Sequence, residues 1–459
     1  MDAEQYLFPF ERVPKGSRIV IYGAGVKGQS YLRQMLMSGY CTVAAMADKN
    51  HAGYQNCVVP VCAPEQIHAF AFDYVVIALR YPYYLDLFRE ILHTQGVSDE
   101  RIVYEPDREA LPIFEEKNDE SRSRNEDAVA IYLQGGIGDY IIQKKVMETL
   151  IELAPGIQMD LYSTQAKSFL TYLYQETPQI RSIEWNLGTR FQEVQDTYAA
   201  ALHFGMTRWI DVPVLREERL PKRLADVLHR LQEHSSRDTE QHAVDMPVAL
   251  IYYRCRFKKE SCYQHLTFGG IIPYEGYHVR MPSSETGRRA FRALGLGTYV
   301  TVNFGNGESR DIQAIAKAWP QERFEQVIAG IHDSRPDLQV VQLGTAGAAQ
   351  LSGADAYVLG GSFDLVSEVL RHSLLHIDIE GGLVHFATQL GTKCLVLYGP
   401  TPAWFYGYPE NIHLQAGDCH GCCGLYPDWN CCARDMKDPE CMYGITAEMV
   451  LEKALAYLD

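Results

Sequence analysis

One carboxylate, Asp139, stands in the run Gly135-Gly136-Ile137-Gly138-Asp139, directly after the apolar stretch Ala128–Leu133 (AVAIYL). An apolar run, glycines and then an amphipathic stretch to about Leu153 read as strand, tight turn and helix. A carboxylate at that junction can take a proton from a hydroxyl held within hydrogen-bond reach. It can also simply cap the helix. Glu380-Gly381-Gly382 repeats the arrangement between the strand-like Leu374–Ile379 and the helix-like Leu383–Leu390. Free N–H groups at a helix start bind phosphate. His385, within the first turn, either faces such a ligand or packs inside. Gly344-Thr345 follows the strand-like Leu338–Leu343 and is either a nucleotide-binding turn or only a turn.

Two further constellations lie at the ends of the chain. Gly23, Gly25 and Gly28 form GxGxxG after the strand-like Arg18–Tyr22, and Asp48 ends a second strand, Cys41–Ala47. That is the context of a dinucleotide fingerprint, with the acid placed for a ribose hydroxyl. A scaffold or homo-oligomerisation role is the alternative. Near the other end, Cys419-His420-Gly421-Cys422 is followed by Cys432 and Cys441. Four thiolates so spaced suit a tetrahedral Zn or Fe site with no open position, hence a structural one. Cys423 and Cys431 are spare, and Cys431 can replace Cys432. The plain alternative is a run of reduced thiols.

The elements that would position these residues alternate in type. After Cys41–Ala47 come strand Asp73–Leu79, a helix from about Tyr83 to Thr94 and a short strand Ile102–Tyr104. This makes residues 1–114 a small Rossmann-like unit. Residues 115–127, almost wholly polar between Glu115 and Asp127, read as a linker. A second unit, 128–295, opens with strand, helix and strand Met159–Tyr162, after which periodicity fades. Arg254–Pro282 reads as long loops. A third unit, 296–459, carries strands Tyr299–Asn303, Leu338–Leu343, Leu374–Ile379 and Cys394–Tyr398. Helices Arg323–Ile331, Phe363–Arg371, Leu383–Leu390 and Ala447–Leu458 go with them.

Composition narrows the partners. The 459 residues are 47% hydrophobic and 22% charged, ordinary for a folded globular chain. A net charge of −16 argues against a nucleic-acid groove and against broad adhesion to anionic lipid. The charged N-terminus lacks the apolar core of a signal peptide, and no apolar run reaches the ~20 residues of a bilayer span. A cytoplasmic protein without stable membrane insertion is expected. In that reducing compartment the clustered cysteines favour a metal over disulfides.

Taken together, residues 128–459 resemble glycosyltransferase family 9, the ADP-heptose:lipopolysaccharide heptosyltransferases and their relatives. The likeness rests on Gly136-Ile137-Gly138-Asp139; on Lys317-Ala318-Trp319-Pro320 running into Arg323-Phe324; on Glu380-Gly381-Gly382-Leu383-Val384-His385 with Tyr398-Gly399-Pro400-Thr401; and on the cysteine run ending Cys441-Met442. The finger, residues 417–443, is similar to that of autotransporter heptosyltransferases. The resemblance implies an α/β protein of the GT-B class, two Rossmann-like halves facing a cleft, here preceded by the N-terminal Rossmann-like domain. It implies inverting transfer of a heptose-like sugar from a nucleotide-diphosphate (ADP-heptose-like) donor to a glycan or protein hydroxyl, without a catalytic metal. Asp139 would then be the base and Lys317 the cation that offsets charge growing on the leaving diphosphate. Asn303, Gly305, Lys317, Gly344, Thr345, Glu380, Gly381, Gly382 and His385 would line the donor side, with Arg310 as a further phosphate contact. The family usually has Asp, Ser or Asn where Glu380 stands. Two other classes stay in view: a non-catalytic nucleotide-sugar-binding protein, and an oxidoreductase using the N-terminal unit. The latter lacks a Tyr-x-x-x-Lys or similar pair in residues 1–115.

Overall fold

A computed structural model describes residues 6–459 except 52–53, 55–56, 80–84, 106–124, 164–166, 186–188, 242–247, 305–315, 423–431, 433 and 435. Most of the expected linker, the start of the Tyr83 helix, and Gly305, Arg310, Cys423 and Cys431 therefore lie outside the described residues. The chain divides into two compact units, Met1–Lys117 and Asn118–Asp459.

The first unit is a five-stranded parallel sheet of β1 (Arg18–Tyr22), β2 (Thr42–Ala47), β3 (Val61–Cys62), β4 (Tyr74–Ile77) and β5 (Ile102–Tyr104). Its order is β3-β2-β1-β4-β5. Alternation explains why these short apolar runs are buried on both sides. Ile19, Ile21, Met46, Val76 and Val103 enter one core. Val20, Tyr22, Ala47, Val75, Ile77 and Tyr104 enter the other. Continuous apolar strands are the signature of a parallel sheet covered on both faces.

The second unit holds two sheets. One contains β6 (Ala128–Leu133), β7 (Gln158–Ser163), β8 (Ile180–Trp185), β9 (Ala200–Gly205) and β10 (Trp209–Leu215), in the order β10-β9-β6-β7-β8. Only β10 runs antiparallel. The other contains β11 (Tyr299–Asn303), β12 (Gln339–Gly344), β13 (Ala356–Leu359), β14 (His376–Ile379), β15 (Cys394–Leu397) and β16 (Ile412–Leu414). It is fully parallel in the order β13-β12-β11-β14-β15-β16. This is the doubly wound dinucleotide-fold order, in which the direction of winding reverses beside the first strand. In the two sheets that reversal falls between β6 and β9, and between β11 and β14.

The two halves of the second unit share a core. Phe169, from the first half, meets the Phe363 and Phe386 rings of the second at 4.8 and 5.5 Å. The helix Glu285–Ala293 also packs on the second half, against Phe363–Arg371, with Phe291 stacked on His372 at 4.5 Å. The expectation of long loops across Arg254–Pro282 needs correcting at its start. Val248–Lys258 is helical and a short helix, Cys262–His265, follows. The first of these has little one-sided apolar periodicity, which is why the pattern did not reveal it. Among the described residues no helix is long and apolar enough to cross a membrane.

Candidate active site

The helix Ile137–Leu153 starts from the turn after β6, and the helix Gly382–Gln389 starts from the turn after β14. Their N-terminal ends meet. A Cβ on Gly138 would lie 2.6 Å from the His385 ring, and one on Gly382 would lie 2.9 Å from the Ile137 Cβ. These two glycines let the halves touch backbone to side chain where any larger residue would part them. Asp139 and Glu380 therefore converge, although 241 positions separate them in sequence.

Asp139 is half-buried at the third position of its helix. Its Oδ2 accepts the Gly136 N–H at 2.9 Å. The capping alternative is thus present in the structure and holds the carboxylate in place. Burial pushes its carboxyl up, and the nearby Glu380 charge adds to that. The Gly136 N–H, His385 and the Arg208 guanidinium pull the other way, and the net direction is upward. A raised carboxyl is a stronger base than an exposed one.

Glu380 is buried. Burial alone would raise its carboxyl, yet Lys317, His385 and the Thr401 hydroxyl together hold it down at about 2. Lys317 Nζ lies 3.8 Å from Glu380 Oε2 and donates to the Glu380 carbonyl at 3.3 Å. Lys317 is thus half-buried and paired rather than a free surface lysine. His385, 3% exposed, has Nε2 3.5 Å from Glu380 Oε1 and shares a 2.7 Å hydrogen bond through Nδ1 with the Tyr408 hydroxyl. Tyr408 in turn meets the Tyr263 hydroxyl at 2.9 Å, so a buried polar chain runs from Glu380 to the first half.

The other residues expected on the donor side stand at the carboxyl ends of strands of the same sheet. Asn303 ends β11 and donates to both carboxylate oxygens of buried Asp378, at 3.0 and 3.1 Å, spanning the reversal between β11 and β14. Gly344 ends β12, and exposed Thr345 opens a turn closed by the Ala348 N–H on its carbonyl at 3.0 Å. Gly381 precedes its helix in an extended conformation. Trp319, by contrast, belongs to the core: it is 1% exposed and its indole N–H reaches the Ile445 carbonyl at 2.9 Å. Sequence reasoning missed Arg208, Thr401, Tyr408, Tyr263 and Asp378. Only Thr401 lay in a quoted motif, and the others stand in segments with no local signature.

In the first unit, Gly23 lies at φ +109°, and a Cβ there would press on the Ala78 carbonyl at 3.0 Å. A side chain at Gly23 would therefore be strained, whatever the loop binds. Gly25 caps the helix Val26–Ser38, and Gly28 lies within it. Asp48, however, accepts the Ala24 N–H on Oδ2 and the Asn50 N–H on Oδ1, both at 2.8 Å, so it already ties the loop to β2. Lys27 is buried, with Nζ donating to the Leu79 and Glu105 carbonyls at 2.9 and 3.0 Å.

The cysteine segment follows β16. Cys441 is buried, and burial, with neighbouring Cys419, Cys422 and Cys432, pushes its thiol up to about 12. Cys419, Cys422 and Cys432 thus lie near enough to Cys441 to act on it, and thiolates are ligands of the structural Zn or Fe type. Among the described residues, these four cysteines do not form a set within 4.8 Å; Cys255, Glu260 and His265 do.

No protein-family model matches the chain. No curated protein matches it either. Solved structures do. A glycosyl transferase family 9 protein of Veillonella parvula is 16% identical over 72% of this chain and 98% of its own, with a TM-score of 0.47. An E. coli ADP-heptose lipopolysaccharide heptosyltransferase II is 14% identical over 72% and 98%, with a TM-score of 0.45. The dodecameric iron-containing heptosyltransferase TibC of enterotoxigenic E. coli, solved with ADP-D-β-D-heptose, is 15% identical over 73% and 77%, with a TM-score of 0.45. At these scores and identities the likenesses assign this chain neither an activity nor a ligand.

Proposed function

We propose that residues 128–459 form an inverting glycosyltransferase that moves a heptose-like sugar from a nucleotide-diphosphate donor, ADP-heptose-like, to a glycan or protein hydroxyl. One observation carries the reading: across the meeting point of the two halves, Asp139 faces the cluster of Glu380, Lys317 and His385. In open α/β sheets, ligands bind outside the carboxyl ends of the strands where the winding reverses, and both groups stand there. Asp139 takes the proton of the acceptor hydroxyl as that oxygen bonds to the anomeric carbon. The bond from that carbon to the diphosphate breaks on the opposite side, and the electron pair leaves with the phosphate oxygen. Lys317 offsets that charge. Its pairing with Glu380 keeps the ammonium aimed and ready when no diphosphate is bound. Asn303, Gly344, Thr345, Gly381 and Gly382 form the edge along which the nucleotide lies, and Glu380 reaches a ribose or sugar hydroxyl.

The cysteine finger completes the reading as a structural element. Cys419, Cys422, Cys432 and Cys441 would hold Zn or Fe and order residues 417–443, since metal-binding free energy becomes folding free energy. The first unit, through Gly23, Gly25, Gly28 and Asp48, would bind a nucleotide or serve in self-association.

Calorimetry with free ADP, GDP, UDP and CDP tests the proposal. One of them should bind the wild-type chain, and Lys317→Ala should weaken it at least ~10-fold, about 1.4 kcal/mol. Failure of all four to bind, or equal affinity in Lys317→Ala, would overturn it.

A further inference from the structure

Residues 255–265 contain a cluster that the proposed transfer reaction does not use. Cys255 lies in the helix Val248–Lys258 and is 0% exposed. The helix stops at Lys259, which takes a left-handed φ of +58°. That conformation is costly for a non-glycine residue and persists only where its surroundings enforce it. It turns the chain so that the Glu260 N–H closes on the Cys255 carbonyl at 2.9 Å. Ser261 then caps the helix Cys262–His265. Its side chain accepts the Gln264 N–H, and the Gln264 Oε1 accepts the Ser261 N–H at 2.8 Å. These two backbone devices bring one ligand atom each of Cys255, Glu260 and His265 within 4.8 Å of one another.

The histidine is prepared for coordination. Its Nε2 lies 2.6 Å from the Arg208 carbonyl. A carbonyl only accepts, so Nε2 carries the proton and Nδ1 keeps its lone pair. Metal-binding histidines are commonly fixed in this way, the other ring N–H donating to a carbonyl or carboxylate. A thiolate, a carboxylate and an imidazole are the ligand types of zinc. We propose that Cys255 Sγ, one Glu260 oxygen and His265 Nδ1 bind a zinc ion, with water as the fourth ligand.

This site is separate from the cysteine finger. The ion would clamp the turn between β9 and β10, because His265 holds the carbonyl of Arg208, and the Arg208 guanidinium faces Asp139. Its role is to position a wall of the cleft.

Zinc per chain, measured by elemental analysis after dialysis against Zn(II), tests the site. Cys255→Ser and His265→Gln should each hold one ion fewer than the wild type. Cys262→Ser, a buried thiol on the same segment outside the set, should hold the wild-type number. Cys422→Ser counts the finger's own ion independently. Far-UV circular dichroism reports whether each variant folds. If Cys255→Ser does not fold, Glu260→Gln decides, because that half-exposed position tolerates the change. It should lower zinc affinity at least tenfold. Wild-type stoichiometry in folded Cys255→Ser or His265→Gln, or unchanged affinity in Glu260→Gln, would overturn the site.

Discussion

Replacing Glu380 by Gln removes the charge that Lys317 and His385 surround while keeping the side chain's size. Its carboxyl lies at about 2 against an ordinary 4.5. A drop of that size corresponds to about 3 kcal/mol at 1.36 kcal/mol per pKa unit. Coulomb's law gives a similar scale: opposite charges 3.8 Å apart attract by about 4 kcal/mol at an effective dielectric of ~20, before desolvation is subtracted. Glutamine retains a hydrogen-bond acceptor for Thr401, so a loss of about 1–3 kcal/mol is expected at pH 7. The sign with pH follows from the lowered carboxyl. A group whose folded pKa is depressed stabilises fully above its unfolded pKa and loses that contribution as pH falls toward the folded value. The Glu380 contribution should therefore be about 0.8 kcal/mol smaller at pH 4 than at pH 7, and about 1.4 smaller at pH 3.5. Urea unfolding of both proteins, followed by tryptophan fluorescence at the three pH values, measures the difference. A gap that stays constant from pH 7 to pH 3.5, or no gap at pH 7, would refute the ion-pair account.

Two further outcomes follow from the same geometry. Gly138→Ala should drive the halves apart at His385, costing about 1–3 kcal/mol in thermal or urea unfolding and slowing transfer; an unaffected protein would mean that the contact yields freely. Because the Asp139 carboxyl is raised, the acid limb of kcat/KM should fall above the ordinary carboxylate range, tenfold per pH unit as the base is protonated; a limb centred at or below 3.8 would contradict the burial of Asp139.

The strands that carry the site were legible because each is a short, continuous apolar run between turn residues. β1, β6, β11 and β15 all fall where such runs stand, and so do the turns holding Asp139 and Glu380. β13 and β16 were not legible. They are edge strands that are only partly buried, whereas the equally short β15 is buried along its whole length. What the sequence could not convey was the pairing across the halves. Nothing local in Gly138 or Gly382 says that each makes room for a residue of the other half, and both glycines read equally well as ligand-binding turns. The partners of Lys317 were hidden for the same reason. Its neighbours Ala316 and Trp319 are ordinary core residues, while the carboxylate that holds it lies 63 positions away. Tyr408 and Tyr263 were two among 29 tyrosines until the fold joined their hydroxyls.

The role of Asp139 is the centre of the account, and the rate of sugar transfer by Asp139→Asn tests it most directly. With the donor identified by calorimetry, release of nucleoside diphosphate in the presence of acceptor should fall ~10²–10⁴-fold relative to wild type, while donor affinity stays within about twofold because in the proposed reaction Asp139 acts on the acceptor hydroxyl. Near-normal turnover in the folded Asn variant would contradict the assignment and leave Asp139 as a helix cap.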